Sequence, residues 1–160
     1  MTSEPIDLED YFPFFLGTLA NRWTTTSSRI YLERFGVGVG EWRVLASIQA
    51  LKSASSQDIV GLISMDAAAV SRSAAKLEAD GFIEPVQGRF IGRTKPFELT
   101  AKGHELYAAM REVALARENQ LLGALDADER LQLIALMRKV MSRIGDLSHP
   151  EVSPPEKDAP

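Results

Sequence analysis

The sequence predicts a mainly α-helical protein with a small β-hairpin, dimerised through its N- and C-terminal helices. Apolar residues recur at helical spacing along both ends of the chain. In the middle, short helical segments are followed by a change to the alternating pattern of strands. The terminal apolar stripes are too long for the small middle region to cover, which indicates an interface with a second copy.

Composition limits the classes of protein that fit. The chain of 160 residues contains no cysteine, which excludes disulfides, thiolate metal sites and a cysteine nucleophile. His104 and His149 are far apart in sequence, so we expect no metal site, and we expect no cofactor. No apolar run reaches the roughly 18 to 20 residues of a membrane span, and the N-terminus lacks a basic signal segment. We therefore expect a cytoplasmic protein with no membrane partner.

The net charge of -4 is unevenly distributed. Residues 1–10 form an acidic arm of charge -4, and residues 146–160 carry -3. Residues 11–145 are therefore at +3, and residues 85–103 alone carry +3. Because the local patch decides whether a protein attracts a phosphate backbone, this distribution is compatible with nucleic-acid binding.

Residues 11–34 predict an N-terminal dimerisation helix, with Pro13 in its first turn. Residues 35–40 predict a glycine-rich linker with a left-handed helix stop. The linker lacks the preceding strand and the spacing of a nucleotide-binding loop. The helical period is carried by Phe12, Phe15, Leu16, Leu19, Trp23, Ile30 and Tyr31.

Residues 40–100 predict a separate lobe that begins with two helices. The first covers residues 41–51, and the second is short and begins after a cap at residues 55–58. We expect the inward side chains of the first helix to be Trp42, Leu45, Ile48 and Leu51.

The rest of the lobe is a third helix and a hairpin. Ser64 or Asp66 caps the third helix, which ends at Gly81. Residues 82–86 and 97–99 predict the two strands, and basic residues lie between them.

Residues 101–147 predict two C-terminal dimerisation helices. Thr100 caps the first, which extends to about Leu125, and residues 126–129 have the spacing of a capping box for the second. Residues 148–160 contain four prolines and predict a disordered tail. The stripes comprise Leu106, Ala109, Met110, Val113 and Ala116 in the first helix and Leu133, Leu136, Met137, Val140, Met141, Ile144 and Leu147 in the second.

This order of helices, followed by a hairpin with a basic tip, predicts a winged helix-turn-helix. The segments "EWRVLASI", "SSQDIVGLISMDAAAVSRSAAKLEADGFIE" and "ELTAKG" resemble successive signatures of the MarR family of bacterial transcriptional regulators. The resemblance extends over about residues 11–147. It implies a homodimer that binds a palindromic operator in double-stranded DNA as a repressor. It also implies that a small-molecule effector releases this dimer from the operator.

The third helix of the lobe is the predicted recognition helix. A major groove about 12 Å wide admits a helix with a slim leading face, and alanine methyl groups can approach base edges. We expect Val70, Ala74 and Leu77 to pack against the lobe on the opposite face. The predicted groove-facing residues are Ala67, Ala68, Ser71, Arg72 and Ala75.

Additional DNA contacts are predicted outside that face. Ser56 and Gln57, at the start of the preceding helix, are expected to meet a phosphate through backbone N–H groups. Lys76 is either a phosphate contact or a solvated charge.

In the hairpin, or wing, the predicted DNA contacts are Arg89, Arg93 and Lys95. Members of the MarR family commonly have Asp-x-Arg near the wing tip, and the matching triplet here is Ile91-Gly92-Arg93. The arginine is present without the aspartate that orients it, so its insertion costs more side-chain entropy and Arg89 or Lys95 can share its role. The alternative is that all three are solvated loop charges.

The first helix is rich in aromatic residues with polar residues between them. The resemblance implies an effector site between the dimerising helices and the lobe. An apolar crevice with a cationic group there suits an aromatic carboxylate or its acyl-CoA thioester. The alternative is that the aromatic stripe fills a dimer core. The effector candidates are Tyr11, Phe15, Arg22, Trp23, Arg29 and Arg43.

The sequence favours no enzyme. It lacks Gly-x-Ser-x-Gly, a Walker loop and His-Glu-x-x-His, and Asp126 and Asp128 are better explained as helix caps. The other function class left open is a helical dimeric scaffold without a ligand response. A scaffold would not retard a palindromic promoter fragment.

Overall fold

The mainly helical fold and the small hairpin are confirmed by the computed structural model, which describes residues 5–88, 90 and 95–146. The predictions for Arg89, for residues 91–94 and for residues 147–160 lie outside the described residues. The elements in chain order are α1 (Phe12–Phe35), α2 (Val39–Leu51), α3 (Ser56–Ile63), α4 (Ala67–Ala79), β1 (Ile83–Pro85), β2 (Phe97–Leu99), α5 (Ala101–Leu121), α6 (Ala127–Met141) and a 3₁₀ turn (Ile144–Asp146).

The end of α1 and the start of α2 lie in the glycine-rich segment. Gly36 adopts the predicted left-handed conformation, with φ of 72°, and its N–H donates to the carbonyl oxygen of Leu32. The prediction that α2 begins at Glu41 was wrong, since the helix begins at Val39. The Glu41 carboxylate accepts a hydrogen bond of 2.8 Å from the N–H of Gly38. This hydrogen bond stabilises the first turn of α2, which begins two residues earlier than predicted.

The core of the lobe lies between α2, α3 and α4. Leu51, expected to point inward, is 43% exposed, because α2 ends there and Lys52 turns the chain with a positive φ of 65°. Trp42 is half-buried and packs against the core. The buried apolar residues of these helices are Val44, Leu45, Ile48, Ile59, Val70, Ala74 and Leu77.

Side-chain caps start both α3 and α4. Ser55 accepts from the N–H of Asp58 at 3.2 Å, and the Asp58 carboxylate accepts from the N–H of Ser55 at 2.9 Å. Ser64 ends α3 in the left-handed conformation, so of the two predicted caps for α4 only Asp66 has that role. Its carboxylate accepts from the N–H of Ala69 at 2.9 Å. Both helices therefore start and stop where local chemistry dictates.

The wing is an antiparallel pair in which Ile83 faces Leu99 and Pro85 faces Phe97. Phe97 is also bound on its other edge, where its N–H and carbonyl exchange hydrogen bonds of 2.9 and 3.0 Å with Ala54. A two-stranded hairpin alone is only marginally stable. The Ala54 bridge attaches it to the segment between α2 and α3.

The start of α5 is fixed by Thr100, as predicted. Its hydroxyl oxygen accepts from the N–H of Gly103 at 3.0 Å. The helix ends at Leu121 rather than Leu125. The N–H of Gly123 donates to the carbonyl oxygen of Gln120, three residues earlier and not four, at 3.3 Å, so the chain turns more tightly there than in an α-helix. Of the predicted apolar stripe, Met110 is buried and Leu106 and Val113 pack on the core, while Ala109 and Ala116 are exposed.

The chain divides into two units, Met1–Leu115 and Ala116–Pro160, with the boundary inside α5. In the second unit, the predicted capping box at the start of α6 is confirmed, since Asp126 and Glu129 each accept the other's backbone N–H at 2.9 Å. In the part of the chain that the structure describes, no helix is long and apolar enough to cross a membrane.

Candidate DNA-binding interface

The α4 helix has one buried face and one exposed face. Val70 and Leu77 are fully buried and Ala74 is 2% exposed, as predicted, and all three belong to the core of the lobe. Burying a Val or Leu side chain contributes about 1.5 to 3 kcal/mol, so this face fixes the rotation of α4 about its axis. The predicted DNA-facing residues Ala67, Ala68, Ser71, Arg72 and Ala75 are all exposed on the other side.

The exposed face of α4 is suited to a narrow groove. It presents methyl groups, one hydroxyl and one guanidinium, so the backbone can approach a surface closely. Among the described residues, no carboxylate forms an ion pair with Arg72. Its five N–H donors are therefore available to a base edge or a phosphate.

The start of α3 is the second predicted contact. Gln57 is exposed and Ser56 is half-buried. Asp58 lies in the same first turn and accepts from both the N–H and the hydroxyl of Ser55, at 2.9 and 2.7 Å. That carboxylate offsets part of the positive end of the helix dipole. The attraction of this helix start for a phosphate is weaker than the sequence prediction assumed.

Lys76 is exposed on α4 but already has protein partners. Its ammonium group lies 3.2 Å from the carboxylate of Asp80 and 3.2 Å from the carbonyl oxygen of Gly36. The prediction considered a phosphate contact or a solvated charge, and it missed these two contacts. The only sequence signal was the spacing of Lys76 and Asp80, which places them one helical turn apart.

In the wing, the structure describes one of the three predicted cations. The ammonium of Lys95 lies 5.6 Å from the ring centroid of Phe90, which is 63% exposed. Arg89 and Arg93 lie outside the described residues, as does the triplet that matches the Asp-x-Arg of the MarR family. An exposed aromatic ring beside a cation is a surface on which a sugar or base can stack.

The turn after α4 is bound to the start of α5, which the sequence analysis missed. The Thr100 hydroxyl donates to the carbonyl oxygen of Gly81 at 2.8 Å, and the ammonium of Lys102 donates to the carbonyl oxygen of Asp80 at 2.7 Å. The same ammonium lies 4.4 Å from the ring centroid of Phe82. A cation at the carboxyl end of α4 also interacts favourably with the helix dipole. The end of the predicted recognition helix is thus held by α5.

The predicted effector residues do not form one cluster. Tyr11, Phe15, Arg22 and Arg29 are exposed and follow one face from the cap of α1. At 1.5 Å per residue this stripe is about 27 Å long, too long for one small-molecule site. Phe15 and Arg22, with Phe14, Thr18 and Leu19, line an open groove of about 310 Å³.

Trp23 in α1 and Arg43 in α2, the other two candidates, are half-buried. A guanidinium nitrogen of Arg43 donates to the Thr24 hydroxyl at 3.5 Å, a long hydrogen bond. A separate aromatic group consists of Tyr31, Trp42 and Tyr107. The ring centroids of Tyr31 and Trp42 are 6.1 Å apart, and those of Trp42 and Tyr107 are 5.6 Å apart. This aromatic group joins α1, α2 and α5. It was not singled out from sequence, because Tyr107 comes from a distant helix.

Comparison with known proteins agrees with this geometry. The sequence profile of the MarR family matches residues 39–87, which include α2, α3, α4 and β1. A MarR/EmrR family transcriptional regulator from Acinetobacter sp. ADP1 is 32% identical, and its crystal structure covers 89% of this chain and 100% of its own length with a TM-score of 0.82.

Two more distant proteins are also similar. The HTH-type transcriptional regulator BilQ of Clostridium symbiosum (strain WAL-14163) is 23% identical over 133 residues, which are 83% of this chain and 92% of BilQ. Bordetella bronchiseptica BpsR, whose DNA binding is regulated by 6-hydroxynicotinic acid, has the same fold, with a TM-score of 0.66 and 22% identity over 79% of this chain and 98% of BpsR. The chain therefore belongs to the MarR family and is a DNA-binding transcriptional regulator.

Proposed function

We propose that the protein is a homodimeric repressor that binds a pseudo-palindromic operator and leaves it when a small-molecule effector binds. The observation that carries the DNA-binding part is the division of α4 into a buried apolar face and a slim exposed face around Arg72. A helix with large apolar residues on all sides would serve a core and would not fit a groove.

The proposed DNA contacts follow from that division. The slim face of α4 enters the major groove, where Ser71 and Arg72 donate hydrogen bonds to base edges or phosphates. The wing cations Arg89, Arg93 and Lys95 approach the adjacent minor groove. Ser56 and Gln57, with the Asp58 carboxylate in the same turn, supply at most a weaker phosphate contact. In the dimer, two copies of α4 lie about 34 Å apart, one turn of duplex.

The support for a homodimer is the exposed apolar surface of the terminal helices. In α6, Leu133, Leu136 and Val140 lie on one helical face and are 37%, 54% and 43% exposed. In α1, Phe15 and Leu19 are each 54% exposed. Soluble monomers rarely expose contiguous apolar surface of this kind, and two-fold pairing of identical chains is the commonest way to cover it.

The proposed effector is an aromatic carboxylate or its coenzyme A thioester, bound near α1. An arginine beside aromatic rings, as in the groove of Phe15 and Arg22, offers stacking and a charge-assisted hydrogen bond to a carboxylate. Arg43 offers a cation where α2 contacts Thr24 of α1, and the half-buried Trp23 precedes Thr24 in the chain. The regulation of BpsR by an aromatic acid supports this choice of ligand class. The effector acts by binding more tightly to a lobe spacing that no longer matches successive major grooves.

Selection from a random duplex library at low ionic strength tests the DNA-binding and dimer parts together. We expect inverted repeats with half-sites one helical turn apart, and a dimer in sedimentation at micromolar concentration. A monomeric chain would refute the proposed dimer, and a dimer that enriches no inverted repeats would favour the helical dimeric scaffold.

A thermal-shift screen tests the effector part. Aromatic acids and their coenzyme A thioesters that bind the folded state should raise the melting temperature in a concentration-dependent way. The same compounds should release the protein from the selected duplex. Compounds that raise the melting temperature without changing DNA affinity would contradict the proposed release.

A further inference from the structure

The glycine-rich linker, residues 36–40, comprises the connection between α1 and α2 and the first two residues of α2, and it is in direct contact with α4. The carbonyl oxygen of Gly36 accepts from the ammonium of Lys76 at 3.2 Å. The same ammonium lies 3.2 Å from the carboxylate of Asp80, one turn further along α4. Lys76 therefore joins the end of α1 to α4, and Asp80 neutralises its charge locally.

A second contact lies one helical turn earlier in α4. The hydroxyl of Ser73 donates to one carboxylate oxygen of Glu41 at 3.4 Å, and the other oxygen accepts from the N–H of Gly38 at 2.8 Å. A Cβ at Gly40 would lie 3.0 Å from the Ser73 hydroxyl oxygen, which is closer than most Cβ contacts in proteins. The backbone at Gly40 therefore lies close against α4. The glycines that do not form a nucleotide site therefore allow the linker to lie against α4.

We propose that the linker positions the recognition helix, with Lys76 and Ser73 as positioning residues, and that Lys76 does not donate to a DNA phosphate. This inference rests on the proposed role of α4 in the major groove. Two of the three N–H donors of the Lys76 ammonium bind protein oxygens, and the Asp80 carboxylate beside it neutralises its charge and repels a phosphate. An exposed ion pair contributes little to folding, so its effect belongs to the placement of α4 rather than to stability.

The contact also gives the linker a regulatory role. The α1 helix carries most of the proposed effector residues, and its C-terminal carbonyl group at Gly36 is the group that Lys76 binds. A ligand that displaces the end of α1 must therefore displace α4 or break the contact. Either outcome changes how α4 meets two successive half-sites.

The salt dependence of DNA affinity separates a positioning role from a phosphate contact. The probe is the duplex that the wild-type protein selects, and the variant is Lys76→Met. Loss of a phosphate contact lowers the slope of log affinity against log salt by about 0.9. We expect affinity to fall by up to about fivefold with the slope unchanged, because an exposed ion pair has only a small effect. Lys139→Met, on α6, is the matched control for loss of one charge and should change neither quantity.

Two substitutions test the steric contact between Gly40 and Ser73. Gly40→Ala places a methyl group against the Ser73 hydroxyl and should lower affinity for the selected duplex about fivefold or more, as expected when a tight contact is overpacked. Adding Ser73→Ala removes the obstructing oxygen together with its bond to Glu41, and should restore affinity to the level of Ser73→Ala alone. Gly61→Ala, where a Cβ meets nothing within 4 Å, is the matched glycine control.

Amide hydrogen exchange of the free protein measures the effect of the Lys76 contact on α4 in the absence of DNA. Lys76→Met should raise amide exchange in α4, while exchange in α6 stays at the wild-type rate. The inference is overturned if exchange in α4 is unchanged, if Lys76→Met keeps wild-type affinity, or if its slope falls by about 0.9. A wild-type protein that selects no duplex would refute the proposed function instead, with the exchange result still deciding whether Lys76 holds α4.

Discussion

Gly103, in the first turn of α5, lies so close to Phe82 that a Cβ at this position would overlap with the Phe82 carbonyl oxygen. The obstructing atom is backbone, in the turn that joins α4 to β1, and it cannot rotate away. Gly103→Ala should therefore destabilise the fold by about 1 to 3 kcal/mol, the usual cost of overpacking. Denaturant unfolding followed by circular dichroism measures this change.

Gly61→Ala provides the control for that prediction. Gly61 lies inside α3, and a Cβ there has no neighbour within 4 Å. Because alanine has the higher helix propensity, this variant should be neutral or more stable by up to about 1 kcal/mol. Equal losses of stability for both variants would show that close packing at Gly103 is not the cause.

Ser55→Ala tests the cap that starts α3. The substitution removes the acceptor for the N–H of Asp58 and the hydroxyl that donates to the Asp58 carboxylate. We expect the free energy of unfolding to fall by about 1 to 2 kcal/mol, the usual cost of losing an N-cap. Ser56→Ala, one residue later and without a cap bond among the described contacts, should change it by less than about 0.5 kcal/mol. Similar losses for both serines would argue against the cap.

Arg72→Ala tests the proposed DNA contact at the centre of the exposed face. Binding to the selected duplex should weaken by about 1 to 3 kcal/mol. If Arg72 reads a base, discrimination between the selected duplex and single-base variants is lost at one position; if it binds a phosphate, all duplexes weaken evenly. The control Arg111→Ala removes an exposed arginine of α5 that pairs with Glu112. Wild-type affinity for Arg72→Ala at every salt concentration would contradict both roles.

Leu136→Glu tests the proposed dimer. Leu136 is 54% exposed on α6, so a glutamate is tolerated in a folded monomer, whereas an unpaired charge buried at an interface is costly. Sedimentation velocity at micromolar concentration should show a shift toward monomer, with the helical circular dichroism spectrum retained. The matched control is Leu51→Glu, at the end of α2 and 43% exposed, which should remain dimeric. If the Leu136→Glu protein dimerises like wild type, this face of α6 is not part of the interface.

The parts of the fold that were predicted from sequence depend on neighbours in the chain. The capping box of Asp126 and Glu129 is visible in sequence because both partners lie within one turn. The buried face of α4 is visible because its period is helical. Leu51 fits the same period but was predicted wrongly, because the chain turns away at Lys52. Periodicity does not report where a helix leaves the core.

The parts that were missed depend on contacts between distant segments. Nothing in the local pattern connects Lys76 with Gly36, or Ala54 with Phe97, because each pair forms only when the lobe has folded. The same limit applies to the effector residues. The spacing of Tyr11, Phe15, Arg22 and Arg29 along α1 can be read from the sequence, but the contact of Arg43 with Thr24 of α1 became clear only from the structure.

The position of Pro85 has a consequence for how the protein behaves at high concentration. At Phe97 the inner strand of the wing is bound on both sides, so the hairpin can recruit another strand only along β1. Proline has no N–H to offer an incoming strand, and Glu84 beside it adds a charge. Intermolecular sheet growth along β1, the first step toward amyloid-like assembly, is therefore disfavoured.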